Sequence, residues 1–176
     1  MDFSTILNYI LESNDKTILL LPIGPPGSGK TTFKNLLIKN ITNRLVITPS
    51  RDDIFYKYRI VECMGLKKCK HLTHTEIKTI ITKDYPKQNT LIYIDTTNSN
   101  NDIRQLYINL VKPNITKFIC FHTKHLDDPI SYLFNRVSNR THPTFPKKEL
   151  EQLKTINTIY KNIDYPDNND CFNIYI

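Results

Sequence analysis

The stretch Gly24-Pro25-Pro26-Gly27-Ser28-Gly29-Lys30-Thr31 leaves this chain few folds to choose from. It fits G-x-x-x-x-G-K-[ST], with the apolar run Thr17 to Ile23 directly before it and a helical pattern opening at Lys30 directly after it. A buried strand, a tight glycine turn and a helix N-terminus in that order make a cradle for phosphate groups. Backbone N–H groups and the positive end of the helix dipole converge on one point, and the glycines let the main chain approach it closely. Pro25 and Pro26 carry no N–H, so the donors come mainly from positions 27 to 32. The expected cradle is therefore Gly24, Pro25, Pro26, Gly27, Ser28, Gly29, Lys30, Thr31 and Thr32. Lys30 is expected to bridge the β- and γ-phosphates of a nucleoside triphosphate, and Thr31 to ligate Mg²⁺.

Hydrophobic patterning extends this nucleus in both directions. A short amphipathic helix is expected over Phe3 to Leu11, ahead of the strand Thr17 to Ile23. Further strands are expected at Arg44 to Thr48, Leu91 to Asp95, Lys117 to His122 and Phe172 to Ile176. Helices are expected at Lys30 to Asn40, from Arg51 through a basic stretch to Asp84, around Asp102 to Val111, at Pro129 to Ser138 and at Lys147 to Ile163. Strands alternating with helices predict a three-layer α/β fold with a five-stranded parallel sheet, its ligands at the carboxyl ends of the strands. The 176 residues suit a single domain, with a helical lid at about 136–146.

Three polar clusters fall where those strand ends converge. Ser50 and Asp53 form an S-x-x-D capping pair, which leaves Asp52 free to face the γ-phosphate and accept the proton of an attacking hydroxyl. Asp95 closes an apolar run, placed either to hold a water of the Mg²⁺ shell or to orient a basic side chain on the acceptor. Arg136 and Arg140, four residues apart at a helix end, share a face and suit the charge spread over a transferring phosphoryl group. The expected catalytic set is Lys30, Asp52, Arg136 and Arg140.

A formal charge of +7 favours a polyanionic partner. Four scattered cysteines, no secretory leader pattern and no apolar run of membrane-spanning length lead to the expectation of a reduced, intracellular protein without a membrane partner. Cys63, Cys69, His71 and His74 do not have the spacing of common zinc sites. Lys67, Lys68, Lys70 and Lys78 are candidates for lining a nucleic-acid path.

Taken together, Gly24 to Thr32, Ser50 to Asp53, Asp95 to Asn98 with Arg104 beyond, and Arg136-x-x-x-Arg140 resemble the polynucleotide 5′-hydroxyl kinase family of P-loop kinases. The resemblance implies Mg²⁺-dependent transfer of the γ-phosphate of ATP or GTP to the 5′-hydroxyl end of RNA or DNA. It also implies that Asp52 is the general base and Arg140 the lid arginine, matched by Arg136. Acceptor contacts are implied for Arg51, Asp95, Thr97, Asn98 and Arg104. A separate ligase or phosphatase is an implied partner, since the domains often fused to such kinases are missing from this sequence. Where the phage member of the family carries a phosphate-binding Arg after its second Asp, this chain has Phe55, with Lys57 and Arg59 further on. The alternatives are a kinase of a nucleotide, nucleotide-sugar or other small phosphorylated molecule, and a non-catalytic nucleotide-binding module.

Overall fold

A strand with no polar alternation must be covered on both faces, and β1 (Thr17–Ile23) is buried at every position. In the computed structural model, which describes residues 2–83, 85, 88–138, 148–167 and 170–176, this strand is the centre of a five-stranded sheet. β2 (Leu45–Ile47), β3 (Thr90–Tyr93), β4 (Ile115–His122) and β5 (Cys171–Tyr175) complete it in the order β2-β3-β1-β4-β5. Every pairing is parallel.

Because successive side chains along a strand point to opposite faces, each strand feeds two cores. Ile18, Leu20, Leu91, Tyr93, Ile119 and Phe121 pack on one face with α1 (Phe3–Glu12) and α2 (Lys30–Asn40) through Ile6, Ile10, Phe33 and Leu37. Leu19, Leu21, Ile23, Ile92, Ile94 and Cys120 meet the other layer. That layer holds α3 (Arg51–Tyr56), α4 (Leu66–Ile81) and α5 (Asn101–Val111), which contribute Ile54, Ile77, Ile81 and Tyr107. A smaller cluster of Leu133, Val137 and Ile156 joins α6 (Pro129–Ser138) to α7 (Glu149–Lys161).

The expected three-layer α/β fold with a parallel five-stranded sheet is therefore the observed one. Boundaries differ where local chemistry intervenes. The basic stretch after α3 divides into a π-helical turn, Lys57–Val61, and α4. Between them Cys63 adopts φ 51° and Gly65 begins the new helix. The ladder of β3 ends at Tyr93, two residues short of Asp95, and pairing resumes as a single parallel bridge between Ser50 and Asp95. Among the described residues no helix is long and apolar enough to cross a membrane.

The chain leaves β1 with β3 on one flank and β4 on the other, so the carboxyl end of β1 lies at the topological switch of the sheet. A crevice opens at such a point because the connections on its two sides diverge. The glycine loop occupies it.

Candidate active site

Gly29 is the N-cap of α2 and sits at φ 93°, in the left-handed region that glycine enters without penalty. It has no side chain to compete for the first-turn amides of α2, the positive end of the helix dipole. Gly27, at φ 85°, is constrained for a second reason: a Cβ there would stand 2.8 Å from the Leu133 carbonyl oxygen of α6. The close approach seats α6 directly on the loop. Lys30 Nζ reaches back across the loop to donate to the carbonyls of Gly24 and Pro25, each at 2.8 Å. The Tyr93 hydroxyl donates to the Lys30 carbonyl at 2.9 Å, tying the first residue of α2 to β3. Burial, and then the charge of Asp95, hold the Tyr93 phenol well above its ordinary pKa, so it stays a donor.

Asp95 faces the same helix. Its Oδ2 accepts from the Thr31 hydroxyl at 3.2 Å and pairs with Lys34 Nζ at 2.8 Å. The side chains of Lys34 and Asp95 are only 10% and 7% exposed. The Thr31 hydroxyl and the Asp95 carboxylate are hard oxygen donors held side by side at the loop, a donor set that fits Mg²⁺. Asp95→Asn strips the charge from one member of a buried pair and strands the other. Denaturant unfolding should show a loss of about 3–5 kcal/mol, and Lys34→Met in the same chain should recover most of it. Equal loss in the single and double variants would show that the pair is not what holds α2 to this strand end.

The segment carrying Asp52 is fixed by main-chain bonds. Asp95 N donates to the Pro49 carbonyl at 3.0 Å, and Arg51 N donates to the Asp95 carbonyl at 3.2 Å. Ser50 Oγ accepts from Asp53 N at 3.3 Å and caps α3. Asp52 thereby lines two adjoining cavities. One, of about 90 Å³, lies over Gly27, Gly29, Lys30, Thr31 and Asp95. The other, of about 630 Å³, runs between α4, α5 and α7. Arg51, Asp52, Thr96 and Thr97 line both, and so form the boundary between them.

Arg136 projects from α6 toward the loop. Its Nη2 lies 3.7 Å from where a Cβ on Gly29 would stand. Its Nη1 donates to the Tyr132 hydroxyl at 2.9 Å, and the guanidinium lies 5.5 Å from the centre of the Tyr132 ring. Arg140 and most of the expected lid lie outside the described residues.

Arg104 and Asn98, both expected as acceptor contacts, are buried. Arg104 is 1% exposed: Nη1 donates to the carbonyls of Asn98 at 3.1 Å and Asp164 at 2.6 Å, and Nη2 pairs with the Asp164 carboxylate at 3.1 Å. It braces the loop after β3 against the chain leaving α7. Asn98, also 1% exposed at φ 45°, gives its amide to the carbonyls of Pro22 and Ile94 at 2.9 and 3.1 Å. Asn98 lines the cleft, and the two Nη atoms of Arg104 and the Asn98 amide are engaged by protein. Lys34 is the side chain that sequence reading missed; its place one turn beyond Lys30, on the helix leaving the loop, was the available signal.

A strand, a glycine loop and a helix at the switch point of a 2-3-1-4-5 parallel sheet, with carboxylates beside the loop, define the P-loop kinase fold. Among solved structures the chain is similar to a chain of the Pnkp1/Rnl/Hen1 RNA repair complex, with a TM-score of 0.56 and 18% identity over 86% of this chain and 48% of that one. It is also similar to a gluconokinase from Sinorhizobium meliloti 1021, with a TM-score of 0.54 and 13% identity over 90% of this chain and 81% of that one. A third likeness is to a chain of the PezAT toxin-antitoxin system of Streptococcus pneumoniae, with a TM-score of 0.53 and 17% identity over 76% and 59%. The chain thus spans about half the length of the first of these. No protein-family model matches the chain, nor does any curated protein. Identities this low establish a shared fold, and both a nucleic-acid repair complex and a sugar-acid kinase share it.

Proposed function

We propose that this protein transfers the γ-phosphate of a nucleoside triphosphate, ATP or GTP, to the 5′-hydroxyl end of RNA or DNA. The observation that carries the reading is the position of Asp52 on the boundary between the small cavity over the glycine loop and the large cleft beside it. A donor held in the first and a hydroxyl presented from the second would meet at this carboxylate.

In this reading the amides of the loop and the first turn of α2 bind the phosphates, and Lys30 exchanges its carbonyl partners for phosphate oxygens. Thr31 and Asp95 would hold Mg²⁺, which when bound neutralises charge on the phosphates. Asp52 accepts the proton of the attacking hydroxyl. Arg136, with Arg140 beyond it, supplies positive charge to the oxygens of the group in flight. Thr97 and Arg51 are the exposed or half-exposed residues at the mouth of the cleft and would contact the acceptor.

A polynucleotide acceptor is supported by Lys70 of α4, which lines the cleft, by Lys67 and Lys68 exposed on the same helix, and by the net charge of +7. A small-molecule acceptor is the second reading, favoured by the bounded shape of the cleft and by the likeness to a gluconokinase. The test is transfer from labelled ATP or GTP to matched 5′-hydroxyl RNA and DNA oligonucleotides, with sugars and nucleosides in parallel. For about two phosphate contacts, oligonucleotide kcat/KM should fall roughly sevenfold between 50 and 200 mM salt. Transfer to a sugar with no salt dependence, and none to any oligonucleotide, would replace the first reading with the second.

A further inference from the structure

The large cleft has an uneven distribution of charge. Its inner wall is apolar and aromatic, formed by Phe55, Ile77, Ile103, Tyr107 and Ile159. At its rim stand Arg51 from α3 and Lys70 and His74 from α4, and among the described residues Asp52 is the one acidic residue in the lining. Lys70 and His74 are four residues apart and therefore lie on one face of α4, with Lys78 continuing the stripe a turn later. Among the described residues the ion pairs join other side chains; none includes Arg51, Lys70 or His74. Positive charge gathered at the mouth of a cleft with a single carboxylate beside it attracts an anion, and a protonatable ring among those cations gains a partner when the anion binds.

We propose that Arg51, Lys70 and His74 form a grip for a phosphate group that the acceptor carries next to its reactive hydroxyl. The inference rests on the kinase reading and narrows it: the acceptor is a nucleotide-ended chain or a phosphorylated nucleoside, and an unphosphorylated sugar is a poor substrate. It also assigns the role left open by Phe55, whose apolar ring lines the cleft and cannot hold an anion. The cationic side chains that hold the acceptor come from the start of α3 and from α4.

The grip has a proton-linked signature. Burial first, and then the charges of Lys78, Arg51 and His71, hold His74 below the ordinary histidine pKa. The charged or titratable groups around it are Arg51 and Asp52 from α3, Lys70, His71 and Lys78 from α4, and the Tyr107 phenol from α5, while α7 presents Thr155 and Ile159. A bound phosphate reverses the sign of the local field and raises the pKa of His74. Binding then takes up a proton, and affinity strengthens as pH falls from the raised bound value to the depressed free value.

The probe is a 5′-hydroxyl dinucleotide with one phosphodiester, whose charge is constant across this range, compared with the corresponding nucleoside. NMR titration of the His74 ring, assigned with His74→Gln, should show its pKa rising with saturating dinucleotide and unmoved by the nucleoside. In transfer assays the preference for dinucleotide over nucleoside, as a ratio of kcat/KM, should fall roughly 10- to 100-fold in Lys70→Ala and in His74→Gln, the loss expected for one charge-assisted hydrogen bond. A His74 titration unchanged by dinucleotide, or variants that slow both acceptors equally, would overturn the grip. Because the NMR measurement needs no turnover, a shifted His74 without phosphate transfer would sustain the grip and refute the kinase reading instead.

Discussion

Asp52→Asn should slow phosphoryl transfer by about 10²–10⁴-fold, the range over which a positioned general base contributes. Binding of the nucleoside triphosphate should change little, within about threefold if the amide makes no new contact. Asparagine keeps the shape of the carboxylate and the N-terminal position in α3, so neither the Ser50 cap nor the bridge to Asp95 is disturbed. What is lost is the capacity to take the hydroxyl proton. Single-turnover transfer, alongside titration with a fluorescent triphosphate analogue, separates the two quantities. A variant that binds and transfers normally would remove Asp52 from the chemistry and leave the boundary between the cavities without a catalytic meaning.

The second large effect is expected at Arg136. Charge on the transferring phosphoryl spreads over three oxygens, and an arginine that meets it contributes on the order of 10³-fold or more. Arg136→Ala should therefore cost about 10³-fold in kcat, with a much smaller effect on donor binding. Arg136→Lys should recover little of it. The Tyr132 hydroxyl and ring hold the planar guanidinium beside Gly29, and a lysine ammonium lacks both the flat face and the forked donors that this seat uses. Full activity in the lysine variant would mean that the site needs only a positive charge at this end of α6. Steady-state rates at saturating donor and acceptor are sufficient to decide.

The two lines of prediction depend on how the loop is supported. Gly27 carries α6, which delivers Arg136, while the Ser50–Asp95 bridge carries the N-terminus of α3, which delivers Asp52. The loop therefore sets the position of the cation, and the strand-end bridge beside it that of the carboxylate. Asp95 belongs to this support as much as to the chemistry, since the same carboxylate oxygen meets Thr31 and Lys34.

Some of this was legible in the linear chain. The apolar run Thr17 to Ile23 and the glycine loop after it located β1 and the start of α2 to the residue, because the required backbone geometry restricts the choice of amino acid there. The S-x-x-D cap located the start of α3 for the same reason. Arg104 was expected to contact the acceptor on the family resemblance alone; the structure buries it against Phe118 and pairs it with Asp164, 60 residues away in sequence. Nothing local to Arg104 announces Asp164. Lys34 stands one turn beyond Lys30, and only the strand end after β3 supplies the Asp95 carboxylate that pairs with it.

The order of apolar runs and one glycine motif were enough to determine the layer architecture and the strand-loop-helix unit at the end of β1, since backbone sterics and burial act within a few residues. Which side chains complete the site was decided by the tertiary structure alone. The parallel sheet joins segments far apart in the chain, and only their packing distinguishes a charge spent on a neighbour, as at Arg104, from one presented at a cleft, as at Arg51, Lys70 and His74. A charge's role depends on what surrounds it at a few ångströms, and that distance is not written along the sequence.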